Sequence, residues 1–253
     1  MYFDTHAHYD DRAFDDDRHA LLPALQAAGV ERIVDPGCDL KSSRAALALA
    51  ERYAFVYAAV GVHPEELQDS TPEILAEIGE LAEHPKCVAI GEIGLDYYWD
   101  ATHKEEQKLL FRQQIALALD LDKPIIVHDR EAHGDCLEIV KDYPGLRGVF
   151  HCYSGSAEMA KELLKRGWYL GFDGPVTYKN ARQTLEVLDL CPIERLLIET
   201  DSPYLSPVPN RGKRNDSRNL RYIVETIAAR RGLSPEEVAR QSLENGKRLF
   251  GVE

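Results

Sequence analysis

The amino-acid sequence predicts a parallel α/β barrel of the (β/α)8, or TIM-barrel, class. Three observations carry that expectation. The chain has 253 residues, close to the size of about 250 at which eight β/α units close on themselves. Eight short runs of strand-forming residues alternate with amphipathic stretches along the whole chain. The runs are almost continuously apolar, as parallel strands are when both faces are covered. A doubly wound open sheet is the competing architecture, but no glycine-rich phosphate loop follows the first run.

Taken in order, the strands are expected at Tyr2–Thr5, Glu31–Val34, Phe55–Val60, Cys87–Gly91, Pro124–Val127, Gly148–Phe150, Tyr169–Phe172 and Arg195–Glu199. Helical signals lie between them. Thr71–Pro72 sets an N-cap hydroxyl before a proline at the first helical position. Thr102 and Glu105 have capping-box spacing, and Phe111, Ile115, Ala118 and Leu119 follow on one helical face. Ser234–Pro235–Glu236–Glu237 combines both devices. Gly29, Gly167 and Gly232 stand where helices should stop. The longest loop is Ser202–Arg218, rich in Pro, Asn, Gly and Arg. With no internal repeat, low-complexity tract or linker, residues 1–253 are expected to form one domain.

Composition narrows the function classes. Hydrophobic residues make up 44% of the chain, enough for a sizeable core, yet no run approaches a membrane span. The N-terminus lacks the basic-then-apolar pattern of a signal peptide. Cys38, Cys87, Cys136, Cys152 and Cys191 are scattered, odd in number and form no CxxC pair, which predicts reduced thiols in a cytoplasmic protein. Proteins that grip long nucleic acid by general electrostatics are usually basic, and this chain, at −13, is not. Any nucleic-acid contact should be local, through a few cations and metal ions. No membrane partner or obligate protein partner is expected.

The chemistry of a β/α barrel lies at the C-terminal ends of its strands. The first strand leads into FDTHAH, which places His6 and His8 two residues apart and on one face of extended chain. Alone this means little, because nine histidines give roughly 0.3 such pairs by chance in a chain of this length. The other strand ends supply partners: His63 in GVHP, Glu92 in GEIGLDYY, His128 in HDR, His151 in HCYSG and Asp201 in ETDSPY. His6, His8, Glu92, His128, His151 and Asp201 exceed the three protein ligands usual for one catalytic zinc. A carboxylate can bridge, so the set fits two divalent ions roughly 3.5–4 Å apart. His6, His8 and Asp201 would hold one ion, His128 and His151 the other, and Glu92 both.

The motifs FDTHAH, GVHP, GEIGLDYY, PIIVHDR, HCYSG, LLIETDSPYL and RGKRN occur in an order and spacing that resembles the TatD-like metal-dependent hydrolases of the amidohydrolase superfamily, across essentially the whole chain. The resemblance implies a deoxyribonuclease that cleaves phosphodiester bonds of DNA ends or short single strands with a metal-activated water. It also implies the same six metal ligands, with His63 either near the substrate phosphate or supporting the ligands from behind. In that reading Asp201 binds metal and accepts a proton, while Arg211 and Lys213 hold phosphate oxygens. Four imidazoles favour Zn, Mn or Ni as isolated, with Mg supporting turnover. The RGKRN stretch continues with Asp216, an added acid expected to alter substrate preference. Tyr97 and Tyr98 are candidates for base stacking or for simple rim residues, and Asp129 and Arg130 for support of His128. His19, His84, His103 and His133 are assigned to the surface or to helices. Two other readings keep the metal: hydrolysis of a non-nucleic ester or amide, or of an aminoacyl ester on tRNA. A third is a metal-loaded binding scaffold without activity.

Overall fold

The runs rich in Val, Ile, Ala and Tyr form strands because branched and aromatic side chains pack well on a pleated surface. A computed structural model describes residues 1–253. Its strands are β1 (Tyr2–Asp4), β2 (Val30–Pro36), β3 (Val56–Val60), β4 (Cys87–Asp96), β5 (Ile125–Arg130), β6 (Gly148–Phe150), β7 (Tyr169–Phe172) and β8 (Leu196–Ile198). They pair in parallel in sequence order from β1 to β8. Backbone bonds from Thr5 N to Ile198 O (3.2 Å) and Asp201 N to His6 O (2.9 Å), with a bridge between Ala7 and Ser202, bring β8 back to β1. The expected barrel is the observed one.

Nine helices cover it: α1 (Arg18–Ala27), α2 (Leu40–Arg52), α3 (Pro72–Ala82), α4 (Lys104–Asp120), α5 (His133–Lys141), α6 (Ala157–Lys165), α7 (Arg182–Leu190), α8 (Leu220–Arg231) and α9 (Pro235–Phe250). Thr71 and Ser234 cap α3 and α9 as their sequences predict. The Thr102–Glu105 capping box does not form. The Thr102 hydroxyl turns back to Asp100 (2.6 Å), and His103 occupies the N-cap of α4 without a side-chain cap bond. An aspartate two residues upstream offers a stronger, charged acceptor.

All eight strands contribute to one apolar cluster, β4 with Val88 and Ala89 and the others with Phe3, Val34, Ala59, Ile126, Val149, Tyr169 and Leu197. Leu243, Leu249 and Phe250 of α9 join that cluster and close the N-terminal end of the barrel. The Phe3 and Phe250 rings lie 5.9 Å apart. The other end is left open for polar groups.

Three strands, β2, β4 and β5, run longer than expected, and the differences in β4 and β5 shape that open end. β5 continues through His128 to Arg130, so His128 stands within the sheet. β4 extends to Asp96 because its register slips between Ile90 and Ile93: three steps on β4 match two on β5. This is a β-bulge, which turns a side chain out of the regular alternation. The residue it turns is Glu92. Beyond it Gly94 has φ +148°, and a Cβ there would meet the His128 carbonyl oxygen at 2.0 Å. We expect Gly94→Ala to destabilise the fold by about 3 kcal/mol or more and to lower Tm by about 6 °C or more, read from thermal melts by circular dichroism. An unchanged melt would show that β4 tolerates a side chain at its bend.

Candidate metal centre

β4 and β5, and the loops that leave β1, β3, β6 and β8, bring ionisable side chains to the open end. The Glu92 carboxylate is at the middle, 3% exposed. Its Oε2 faces His6 Nε2 at 3.1 Å and His8 Nε2 at 3.6 Å. Its Oε1 faces His128 Nδ1 and His151 Nε2, both at 2.7 Å, and His63 Nε2 at 3.6 Å. Asp201 closes the first side, with Oδ1 3.5 Å from His8 and 3.7 Å from His6. The His6 and His151 rings stack at 3.9 Å, nearly parallel. All six sequence-predicted donors, and His63, therefore meet in one pocket.

The outer partners of the rings decide which nitrogen faces inward. The Pro36 carbonyl, 3.0 Å from His8 Nδ1, can only accept, so Nδ1 carries the proton and Nε2 presents a lone pair. The Asp96 carboxylate, 2.9 Å from His128 Nε2, keeps a proton there, so Nδ1, which faces Glu92, is the nitrogen that would give up its proton to bind an ion. The Glu199 carboxylate stands 3.6 Å from His151 Nδ1, beyond hydrogen-bond reach, and acts on that ring through its charge alone. This is how protein partners orient imidazoles that ligate metal. His63 is built the other way. Its Nδ1 accepts the Glu65 amide (3.2 Å), so the Nε2 proton points inward as a hydrogen-bond donor. Burial, aided by the neighbouring His128, pushes the His63 pKa down to about 3 and keeps the ring neutral.

Burial raises the energy of the Glu92 charge, but His151, His6 and the hydrogen bonds from His128 and His151 outweigh it and hold its pKa well below the usual range. Burial likewise opposes protonation of His151, yet Glu92 and Glu199 hold its pKa well above the usual imidazole value. Asp201 stays low against burial through its bond with His8 and the charges of His6, His8 and His151. Two imidazole nitrogens, His6 Nε2 and His8 Nε2, lie only 3.1 Å apart, and both face carboxylate oxygens. Nitrogen-rich donors crowded around buried carboxylates suit a divalent transition metal.

Sequence reasoning passed over three residues at this site. Asp96 and Glu199 lie inside the quoted blocks GEIGLDYY and LLIETDSPYL, four residues after Glu92 and two before Asp201. Cys38, at the end of β2, has Sγ grouped with His8 Nε2 and a Glu92 oxygen, all within 4.8 Å of one another. No histidine marks the β2 end, and a lone cysteine in PGCD carries no spacing signal.

The RGKRN loop is less directly placed. Arg211 sits over the Tyr178 ring at 4.2 Å. Lys213 lines a cavity of about 520 Å³ whose other walls include Tyr2 and Val30, at the start of β1 and β2, rather than the donor cluster. The structure does not bring Lys213 to Glu92. Asp216 is paired through both carboxylate oxygens with Arg218 (2.8 and 2.6 Å), which answers its charge locally and leaves it no evident hold on a substrate. Asp129 accepts from His133 (2.9 Å). His19, His84 and His103 pair with Tyr53, Glu51 and Asp100 away from the site.

Comparison with known proteins gives the following. The sequence model of a family described as TatD related DNase matches residues 3–251. The chain is 47% identical over 254 residues, covering 100% of both sequences, to the uncharacterized metal-dependent hydrolase YabD of Bacillus subtilis (strain 168). It is 35% identical, covering 99% of both, to the 3'-5' ssDNA/RNA exonuclease TatD of Citrobacter koseri. The crystal structure of YJJV, a TatD homolog from Escherichia coli K12, superimposes with a TM-score of 0.93 at 33% identity, covering 100% of this chain and 98% of that one.

Because a protonated imidazole cannot ligate, metal must displace protons held on His151 and His128, both raised in the metal-free cluster. Zinc affinity should tighten as pH rises past the ordinary imidazole value and level off above the raised values of these two rings. Calorimetry in buffers of different ionisation enthalpy should detect net proton release on loading. A pH-independent affinity with no proton release would mean that these imidazoles do not bind the ion.

Proposed function

The chain belongs to the family of TatD related DNases, and from that premise we propose that it is a metal-dependent hydrolase that cleaves phosphodiester bonds at the ends of single-stranded DNA. One observation carries the reading: the two oxygens of Glu92 face different sets of imidazoles, His6 and His8 on one side, His128 and His151 on the other. That division suits two divalent ions sharing one carboxylate. His6, His8 and Asp201 would hold one, with the Cys38 thiol adjacent; His128 and His151 would hold the other. The nitrogen-rich set favours Zn, Mn or Ni over Mg, which prefers oxygen ligands. When bound, such ions neutralise phosphodiester charge and lower the pKa of water toward ~7.

The chain's own residues supply the rest. Asp201 is partly open to the mouth and remains ionised at neutral pH, so its carboxylate can take the proton of the attacking water. Neutral His63 directs its Nε2 proton toward the same space and donates to a phosphate oxygen, a role it keeps across the physiological pH range. Arg211, stacked over Tyr178, is the loop cation left to meet a flanking phosphate. Support for single-stranded substrates comes from relatives named 3'-5' ssDNA/RNA exonuclease at 34–35% identity.

The test is end-labelled single-stranded DNA incubated with chelated protein reloaded with Mn, Zn or Mg. Stepwise shortening is expected, and Asp201→Asn should lower kcat by roughly 10²–10⁴ with an unchanged melting profile. Cleavage confined to lactones, amides or aminoacyl esters, with intact DNA, would assign the same centre to a different bond.

A further inference from the structure

The chain carries 2 Trp, 12 Tyr and 7 Phe, and only three of these aromatic side chains are largely exposed: Tyr98 at 50%, Trp99 at 62% and Tyr204 at 53%. All three lie on loops that directly follow donor strands, Tyr98 and Trp99 after Glu92 and Asp96, Tyr204 after Asp201. Large exposed rings confined to one rim of a protein mark a binding surface.

Tyr98 and Trp99 are held as a built unit. One oxygen of Asp96 accepts both of their backbone amides, at 2.9 and 3.0 Å. The other oxygen of the same carboxylate takes His128 Nε2 at 2.9 Å. A single buried side chain therefore ties the aromatic pair to the metal centre. The two rings meet edge to face with centroids 4.8 Å apart. Arg130, two residues beyond His128, lays its guanidinium over Tyr98 at 4.0 Å and near Trp99 at 5.4 Å. Arg130 is exposed and makes no ion pair or side-chain hydrogen bond, so its donors are free. Neighbouring Tyr97 is different: its hydroxyl donates to Asp135 at 2.6 Å and Lys104 covers its ring.

We infer that Tyr98, Trp99 and Arg130 form a stacking platform for one unpaired nucleobase of the strand whose phosphodiester lies at the metal centre. The inference rests on the proposed nuclease reading and adds to it the site that selects single strands. Aromatic faces take any base, because every base has a π-face, whereas a paired base in a duplex has no face to offer. The free guanidinium donors of Arg130 meet the adjoining phosphate. An occupant without rings, such as a simple ester, would gain nothing from this surface.

The experiment uses the metal-loaded protein. Its two tryptophans separate cleanly, since Trp168 is 2% exposed and Trp99 is open. A phosphorothioate-linked single-stranded oligonucleotide, resistant to cleavage, should quench the fluorescence of the wild type and leave Trp99→Phe emission unchanged. With a normal oligonucleotide, Trp99→Ala should raise KM by about 10- to 100-fold and change kcat little, and Trp99→Phe should recover most of the loss. An abasic strand should give the wild type the same high KM and Trp99→Ala no further defect. Unquenched emission, or a KM for Trp99→Ala within about twofold of the wild type on DNA that is still cleaved, would overturn the platform and leave the nuclease reading standing. Quenching without cleavage by the wild type would uphold the platform and overturn the nuclease reading. Neither quenching nor cleavage would overturn both.

Discussion

Five imidazoles come within 4 Å of one buried carboxylate, that of Glu92, and the rest of the molecule is arranged to make this tolerable. A carboxylate shut away from water is costly unless it is paired and hydrogen-bonded. The pairing here needs residues from β1, β3, β5 and β6, which are distant in sequence and adjacent only in a closed barrel. The backbone takes part as well. Glu92 N donates to Gly37 O at 2.9 Å, so the bulge that projects the carboxylate is fastened to the end of β2. The layer formed by Phe3, Val34, Ala59 and their counterparts, with α9 beneath, fills the far end with hydrocarbon. The polar groups are left one exit, toward solvent and substrate.

Around the donors a second ring of polar groups sets protonation. Pro36 and Asp96 each take one ring nitrogen and free the other, Glu199 faces His151 Nδ1 at 3.6 Å through charge alone, and Glu65 imposes the opposite choice on His63. These partners are themselves satisfied. Glu199, fully buried, accepts from Thr5 and from the Cys152 amide. Between β1 and β8 the paired strands are short, and a side-chain network continues the seam: Asp4 accepts from Thr200 N (2.9 Å), the Thr200 hydroxyl (2.6 Å) and Ser217 (2.6 Å), and Tyr9 bonds to Ser217. Burial pushes the Asp4 pKa up to about 7 against those hydrogen bonds, a sign of how dry the seam is. The network also anchors Ser217, where the long loop of residues 202–218 returns to the barrel.

The sequence made the fold legible because apolar strand runs and capped helices repeat with little ambiguity. The donors could be read because barrel topology forces strand ends together, whatever their separation along the chain. Less legible were features that depend on three-dimensional neighbours. The bulge at Glu92 has no signature beyond two flanking glycines. Thr102 and Glu105 match a capping box by spacing, yet Asp100 captured the hydroxyl. Asp96 and Glu199 read as ordinary acids until the structure sets them beside the outer nitrogens of His128 and His151. Lys213 looked like a phosphate ligand by composition, but the turn at Gly212 (φ +83°) carries the chain away before it. Trp99 was invisible as a contact residue because exposure cannot be read from a dipeptide.

These features bear on how a chain with net charge −13 would hold a polyanion. Its overall field repels nucleic acid, so attraction has to arise within a Debye length of the mouth, about 8–10 Å. Bound cations would provide that at the centre, and Arg130, beside the loop that follows β4, would add to it. Charge alone in so small an area would bind any phosphate, including the inorganic ion. Stacking adds what charge cannot: an attraction that requires a ring, survives salt and fails on a closed duplex. Asp96 links the two contributions physically, one carboxylate oxygen orienting a metal-facing imidazole and the other fixing the aromatic loop. A displacement of that loop by a bound base therefore bears directly on His128, which places recognition of a single strand and geometry of the hydrolytic centre under the control of the same side chain.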